Sequence, residues 1–300
     1  MEMATLHQVL ILFLMAAAGY LMARKKIWND QSILTLTSLV VNIANPCLNY
    51  SKLEQLEHGT VQLDWLQAFF FSLIFLGLAL GVCFLIYRKC PHDERAVYVQ
   101  LCVLSNCGFM GYPMIEAALG PQAIGYGVAF VTAFNIISWS VALALFYRDI
   151  KMGLRKMVNP VMVAVALGLT MQLLGLRLPA VLSDTVAALG GVATPLAMLI
   201  AGAYFAQLRP ALLKNGRFLA ACAVRLLLFP VLALGAMRLL GLTGALARAI
   251  FITCAMPAAS NTVMQASAYS TPRARELAVG GVALTTALSV ATIPLVMLLL

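Results

Sequence analysis

Ser105-Asn-Cys-Gly-Phe-Met-Gly-Tyr-Pro113 breaks an apolar run that extends from about 95 to 119. Two glycines and a proline within six residues do not continue an α-helix, because proline lacks the backbone donor and its ring collides with the preceding turn. A second break, Ala255-Met-Pro-Ala-Ala-Ser-Asn261, interrupts the run at 244–268 and is flanked by Thr253, Thr262 and Gln265. Neither stretch contains a lysine or arginine. What surrounds the breaks gives them meaning. Of the 300 residues, 62% are apolar and 10% are charged, and the mean hydropathy is +0.94. A soluble domain carries about a quarter charged residues, and no soluble interior of this size hides so much apolar side chain. An ordinary soluble enzyme, a disordered chain and a secreted disulfide scaffold are excluded. A polytopic, all-α integral membrane protein remains.

The apolar runs read as ten spans, at about 4–23, 31–50, 65–87, 95–119, 122–147, 158–175, 185–205, 218–237, 244–268 and 277–299. A helical span needs about 20 apolar residues. Basic residues then set the direction. Odd-numbered loops hold fifteen: Arg24, Lys25, Lys26, Arg88, Lys89, Arg95, Arg148, Lys151, Arg155, Lys156, Arg209, Lys214, Arg217, Arg273 and Arg275. Even-numbered loops hold four, Lys52, Arg177, Arg238 and Arg248, and the second also carries Glu54, Glu57 and Asp64. By the positive-inside rule the odd loops are cytoplasmic and both termini lie outside. The net charge of +9 therefore belongs to the membrane face, and no nucleic-acid partner is expected. The first cations follow the first apolar run, the reverse of a secretory signal peptide, so that run is expected to be a retained span.

Ten spans divide into two five-helix repeats, 1–150 and 151–300, and an odd repeat inverts one half against the other across the bilayer. Gly127-Val-Ala-Phe-Val-Thr-Ala-Phe134 aligns with Gly281-Val-Ala-Leu-Thr-Thr-Ala-Leu288 at five of eight positions, and Pro46 pairs with Pro195 at a similar offset. The two broken spans, 4 and 9, then occupy equivalent places. Paired interrupted spans are the best sequence pointer to a transporter binding site. Unwound backbone at membrane depth must face protein or a water-filled cavity. Each following half-helix offers free N–H groups and about +0.5 charge at its amino end. That chemistry suits a small carboxylate held by helix ends and by amide and hydroxyl side chains. Asn106, Gly111, Pro113, Pro257, Ser260 and Asn261 are the candidate residues. Packing alone also puts prolines and small residues in membrane helices; the positional match between halves favours a site.

Asn106-x-x-x-x-Gly111-x-Pro113, Met256-Pro257-Ala258 and Asn45-Pro46 together resemble the auxin efflux carrier family, in its compact bacterial form described as malonate or malate permeases. The resemblance implies crossing broken helices 4 and 9 and a scaffold of spans 1, 2, 6 and 7 that forms a homodimer interface. It also implies a mobile transport domain of spans 3–5 and 8–10, working as an elevator in the bacterial inner (cytoplasmic) membrane. On that mapping Asn106, Pro113 and Pro257 take the crossover positions and Asn45 contributes from the scaffold. Sodium/bile acid symporters and sodium/proton antiporters share the fold, so H+, Na+ or no coupling ion stays open, as does a channel or sensor.

Charged and polar residues inside the spans are candidates by default. Glu116 either titrates and couples protons or lies wet at the outer surface. Arg225 attracts the anion, pairs with a carboxylate, or snorkels to the cytoplasmic headgroups. Asn42, Asn45 and Asn49 share one helix face and either line the solute path or bond neighbouring helices. Asn135 and Gln172 read as interhelical hydrogen-bonding residues. The seven cysteines, Cys47, Cys83, Cys90, Cys102, Cys107, Cys222 and Cys254, are odd in number without a CxxC and are expected to be reduced. His7, His58 and His92 are scattered, and no HExxH, GxSxG or paired in-span carboxylate occurs, so neither an enzyme nor a metal or other cofactor is expected.

Overall fold

A computed structural model describes residues 2–56, 63–147 and 158–299 of the chain. Glu57, His58, Arg148, Lys151, Arg155 and Lys156 lie outside the described residues. The helices are α1 (Glu2–Arg24), α2 (Asp30–Glu54), α3 (Leu63–Ile86), α4 (His92–Val103), α5 (Tyr112–Leu119), α6 (Pro121–Ala142), α7 (Pro160–Leu173), α8 (Ala180–Ala206), α9 (Gly216–Leu239), α10 (Gly244–Ala255), α11 (Ser260–Tyr269) and α12 (Pro272–Met297). Among the described residues, seven helices are long and apolar enough to cross a membrane: α1, α2, α3, α6, α8, α9 and α12. The remaining three expected spans behave differently. Span 6 is the short apolar α7, span 4 is divided into α4 and α5, and span 9 is divided into α10 and α11. The described residues contain no strand beyond one isolated bridge.

Proline explains the irregular turns. Widened turns at Val40–Ala44, Cys107–Gly111 and Val224–Leu228 run up to Pro46, Pro113 and Pro230. Proline cannot bond to the fourth carbonyl before it and crowds that carbonyl, so the helix opens locally. A fourth such turn, Ser138–Ala142, has no proline.

Lipid supplies no hydrophobic drive between helices, so close contact depends on small residues. The α1–α8 pair shows this. A Cβ added at Gly19 would run into the Leu199 backbone, and one at Gly202 into the Ala16 carbonyl. The later half of α2 packs on α7 and on the start of α8. Elsewhere α3 packs on α6, and α12 packs on α4, α9 and α11 as well as on α8 and α1. Large apolar side chains such as Leu78, Val163 and Leu182 remain exposed on the outside of the bundle, as a lipid-facing surface requires. All seven cysteines are free, and every one but Cys47 is buried.

Polar contacts sort the connections by end. At one end Gln207 Nε2 donates to Asp30 (2.9 Å), Arg209 meets Glu276 (3.3 Å) and Arg273 meets Glu94 (3.7 Å). These contacts join the odd-numbered loops 1, 3, 7 and 9. Connections 2 and 6 meet through Glu54, which accepts from Leu178 N–H (3.0 Å) and Ser183 Oγ (2.8 Å). Arg238, in the last turn of α9, donates to the Leu299 carbonyl (3.3 Å). Four of the five connections rich in basic residues thus lie together.

Candidate solute site at the crossing of the two breaks

The breaks meet. Asn106 N–H donates to the Pro257 carbonyl (2.7 Å), and Ala259 N–H to the Leu104 carbonyl (2.9 Å). These bonds form an isolated antiparallel bridge between Ser105 and Ala258. Ala258 N–H donates to Thr285 Oγ1 (3.1 Å). The non-helical backbone around 104–106 and 256–259 therefore finds partners in the opposite break, which is how irregular chain survives at membrane depth. Gly111 permits the close approach: a Cβ there would sit 3.3 Å from Thr253 Cγ2.

The crossing has two ends of opposite sign. The amino ends of the segments that follow the breaks, at Cys107 and Ser260, line one small chamber of about 20 Å³, and neither is capped by a side chain. Asn45, Ser105, Asn106, Ser260, Asn261 and Asn135 supply its polar wall, and Phe109, Val131 and Phe134 its apolar one. Asn106 is 3% exposed, and its Nδ2 has no hydrogen-bond partner; Ser105 Oγ and Ser260 Oγ are likewise buried and unpaired. Buried polar groups are normally satisfied, so unpaired donors around a chamber lined by two helix amino ends mark a place prepared for a hydrogen-bond acceptor.

The other end gathers carbonyls. Arg225 is 0% exposed, and its Nη1 donates to the Val103 carbonyl (2.6 Å) and the Cys102 carbonyl (3.4 Å). Its Nη2 donates to the Cys254 carbonyl. The guanidinium also lies over the Phe229 ring, 3.9 Å from its centroid. These carbonyls are among the last of α4 and α10, which have no partner within their own helices. Two readings of Arg225 are corrected: it is buried and does not snorkel, and it meets no carboxylate among the described residues. The absence of a cation from the broken stretches is also corrected in space, because α9 brings one to them.

Of the expected site residues, Asn45, Asn106, Ser260 and Asn261 share the chamber. Gly111, Pro113 and Pro257 do not line it; they shape and join the breaks. Glu116 is exposed near the end of α5, apart from the chamber. The asparagine face of α2 serves both readings in turn. Asn45 lines the chamber, while Asn49 Nδ2 donates to Asn45 Oδ1 (2.8 Å) and Asn135 Nδ2 to Asn49 Oδ1 (2.9 Å). Asn42 bonds only locally, to Ser38, and is exposed.

A single family model, described as membrane transport protein, matches residues 4–152 and 147–297. The chain belongs to this family, that of the auxin efflux carriers. The transporter is also 24% identical over 272 residues to an uncharacterized transporter of Methanothermobacter thermautotrophicus, with 86% of each chain covered.

Sequence placed Gln265 beside the second break of the transporter but did not single out Gln100 or their pairing. Gln100 and Gln265, both fully buried, join the first half of one broken span to the second half of the other. Gln100 Nε2 donates to Gln265 Oε1 (2.8 Å) and the Ala142 carbonyl (2.8 Å), and Gln265 Nε2 to the Ser138 carbonyl (2.9 Å). A polar residue deep in an apolar span was the available signal; its partner, 165 residues away, was not. A second void of about 20 Å³ shares Phe109, Ser260 and Asn261 with the chamber, and Val41 and Met264 with a cavity of about 440 Å³ lined by Leu34, Ser38, Asn42 and Tyr269. That cavity shares Ser267 with one of about 470 Å³ at the end where the odd loops meet, lined by Asp30, Arg209, Arg275 and Glu276.

Proposed function

We propose that this membrane transporter is a secondary carrier for a small organic anion, a mono- or dicarboxylate such as malonate or malate. The carrying observation is the chamber itself: two uncapped amino ends and the unpaired Asn106 Nδ2 face one volume. Two helix amino ends supply roughly one unit of positive potential, and amide donors complete a carboxylate's shell. A chamber of about 20 Å³ has room for about one water, so binding a carboxylate there requires α2 to part from the crossing.

In this reading the chain is two inverted five-helix repeats, 1–150 and 151–300, with ten spans counted across the short and broken helices. The two family matches meet at 147–152, in support of that boundary. Spans 1, 2, 6 and 7 form the scaffold; the packing of α1 on α8 and of α2 on α7 and α8 favours this. The crossing moves with spans 3–5 and 8–10 as an elevator. The odd loops face the cytoplasm of a bacterial inner membrane, both termini lie outside, and the scaffold face pairs two copies. A proton or sodium ion is the candidate coupling ion. Uptake of labelled malonate and malate into proteoliposomes tests the reading. Saturable, mutually competing uptake is expected; ion current at rates far above carrier turnover would sink it.

A further inference from the structure

We propose that Arg225 is a positioning residue of the solute site: it holds the carboxyl ends of α4 and α10 on one cation and thereby sets how far apart the amino ends at Cys107 and Ser260 lie across the chamber. The effect on solute rests on the crossing being the solute site, whereas the tie between the breaks does not. Three observations carry it. The guanidinium contacts carbonyls from both broken spans, so it spans the crossing and does not serve one helix alone. It is fully buried and has no carboxylate partner among the described residues, so the carbonyls and the Phe229 face are its counter-charge. It lies inside the widened turn Val224–Leu228 that precedes Pro230, and such turns occur frequently at functional sites.

The chemistry needs arginine. The negative ends of two helix dipoles sum to roughly one unit of charge, which one cation balances. A planar fork reaches acceptors on two helices at once, where an ammonium acts as a point charge. With both carboxyl ends tied, the bridge at Asn106–Pro257 and Leu104–Ala259 closes in one register. The amino ends begin one to three residues beyond that bridge, so their spacing follows from it.

The test is hydrogen–deuterium exchange of the full chain in detergent without solute, paired with malonate-induced thermal stabilisation. R225M is expected to speed exchange of the amides at 104–106 and 258–259 by about tenfold or more, as loss of charged hydrogen bonds implies. It should leave α3 at wild-type protection and weaken stabilisation by malonate. R225K, which keeps the charge and loses the fork, is expected to show the same local change at smaller size, and stands as the test should R225M not fold. Unchanged exchange at the bridge, or equal acceleration in α3, overturns the proposal. Absence of malonate stabilisation in the wild type would instead sink the solute site and leave the exchange result to decide the tie.

Discussion

Asn106→Ala separates affinity from stability with opposite signs. Without solute Asn106 Nδ2 is buried with no hydrogen-bond partner from the described protein, a condition that costs up to about 1–3 kcal/mol. Truncation removes that donor, so the empty variant is expected to melt at or above the wild-type temperature. With solute present the balance reverses. A hydrogen bond to a charged group contributes about 1.5–3 kcal/mol, which corresponds to a roughly 10- to 150-fold loss of affinity. Hydrogen bonds inside membrane proteins average nearer 0.6 kcal/mol, so the lower part of that range is favoured. The assay is thermal unfolding in detergent across a malonate titration. At 100 times the wild-type Kd a ligand adds about 2.7 kcal/mol of stability, and a 30-fold weaker variant keeps only about 0.9 kcal/mol at that concentration. Asn261→Ala should weaken binding in the same direction. Asn42→Ala is the control, since Asn42 is exposed and bonds only to Ser38. Wild-type affinity in both Asn106→Ala and Asn261→Ala would refute the assignment of the chamber.

Glu116 is exposed and outside the chamber, so Glu116→Gln is expected to leave the pH profile of uptake unchanged; a flattened profile would restore its coupling role. Gly202→Ala places a methyl against the Ala16 backbone carbonyl, which cannot rotate away. Forced separation of α1 from α8 should lower stability by about 1–3 kcal/mol, and a wild-type melting temperature would contradict the close packing. For the Gln100–Gln265 pair, each single change to Leu leaves a buried amide without its partner. A double-mutant cycle read by thermal unfolding should return a coupling of about 0.6–1.7 kcal/mol, whereas strict additivity would show that the two side chains act independently.

Hydropathy and the prolines made much of this architecture legible. Long apolar runs must be helical in lipid because backbone groups there have no water to bond, and the placement of α1, α3 and α12 followed from that alone. Pro257 announced its break through covalent constraint, which acts within a turn and needs no neighbour, whereas the first break falls at 104–106, ahead of Pro113, which only widens the turn before it. The span count was harder to read, because hydropathy does not separate one long helix from two short ones joined at a break, such as α10 and α11.

Asn106, Ser260 and Asn261 were identifiable as chamber residues because they stand beside the prolines, within reach of a local argument. Arg225 was not. From its position two turns into α9, snorkelling was a sound expectation, since local sequence says how far a side chain stands from the headgroups and nothing about what lies beside it. Only the tertiary fold brings the last carbonyls of α4 and α10 to that guanidinium, across separations of 122 and 29 residues. The same holds for Asn135 with Asn49 and for Gln100 with Gln265. Sequence determined which segments are helices, where they snap and which loops share an end, because solvent preference and backbone chemistry act residue by residue. Tertiary structure decided which unpaired groups meet, because a hydrogen bond depends on distance in space.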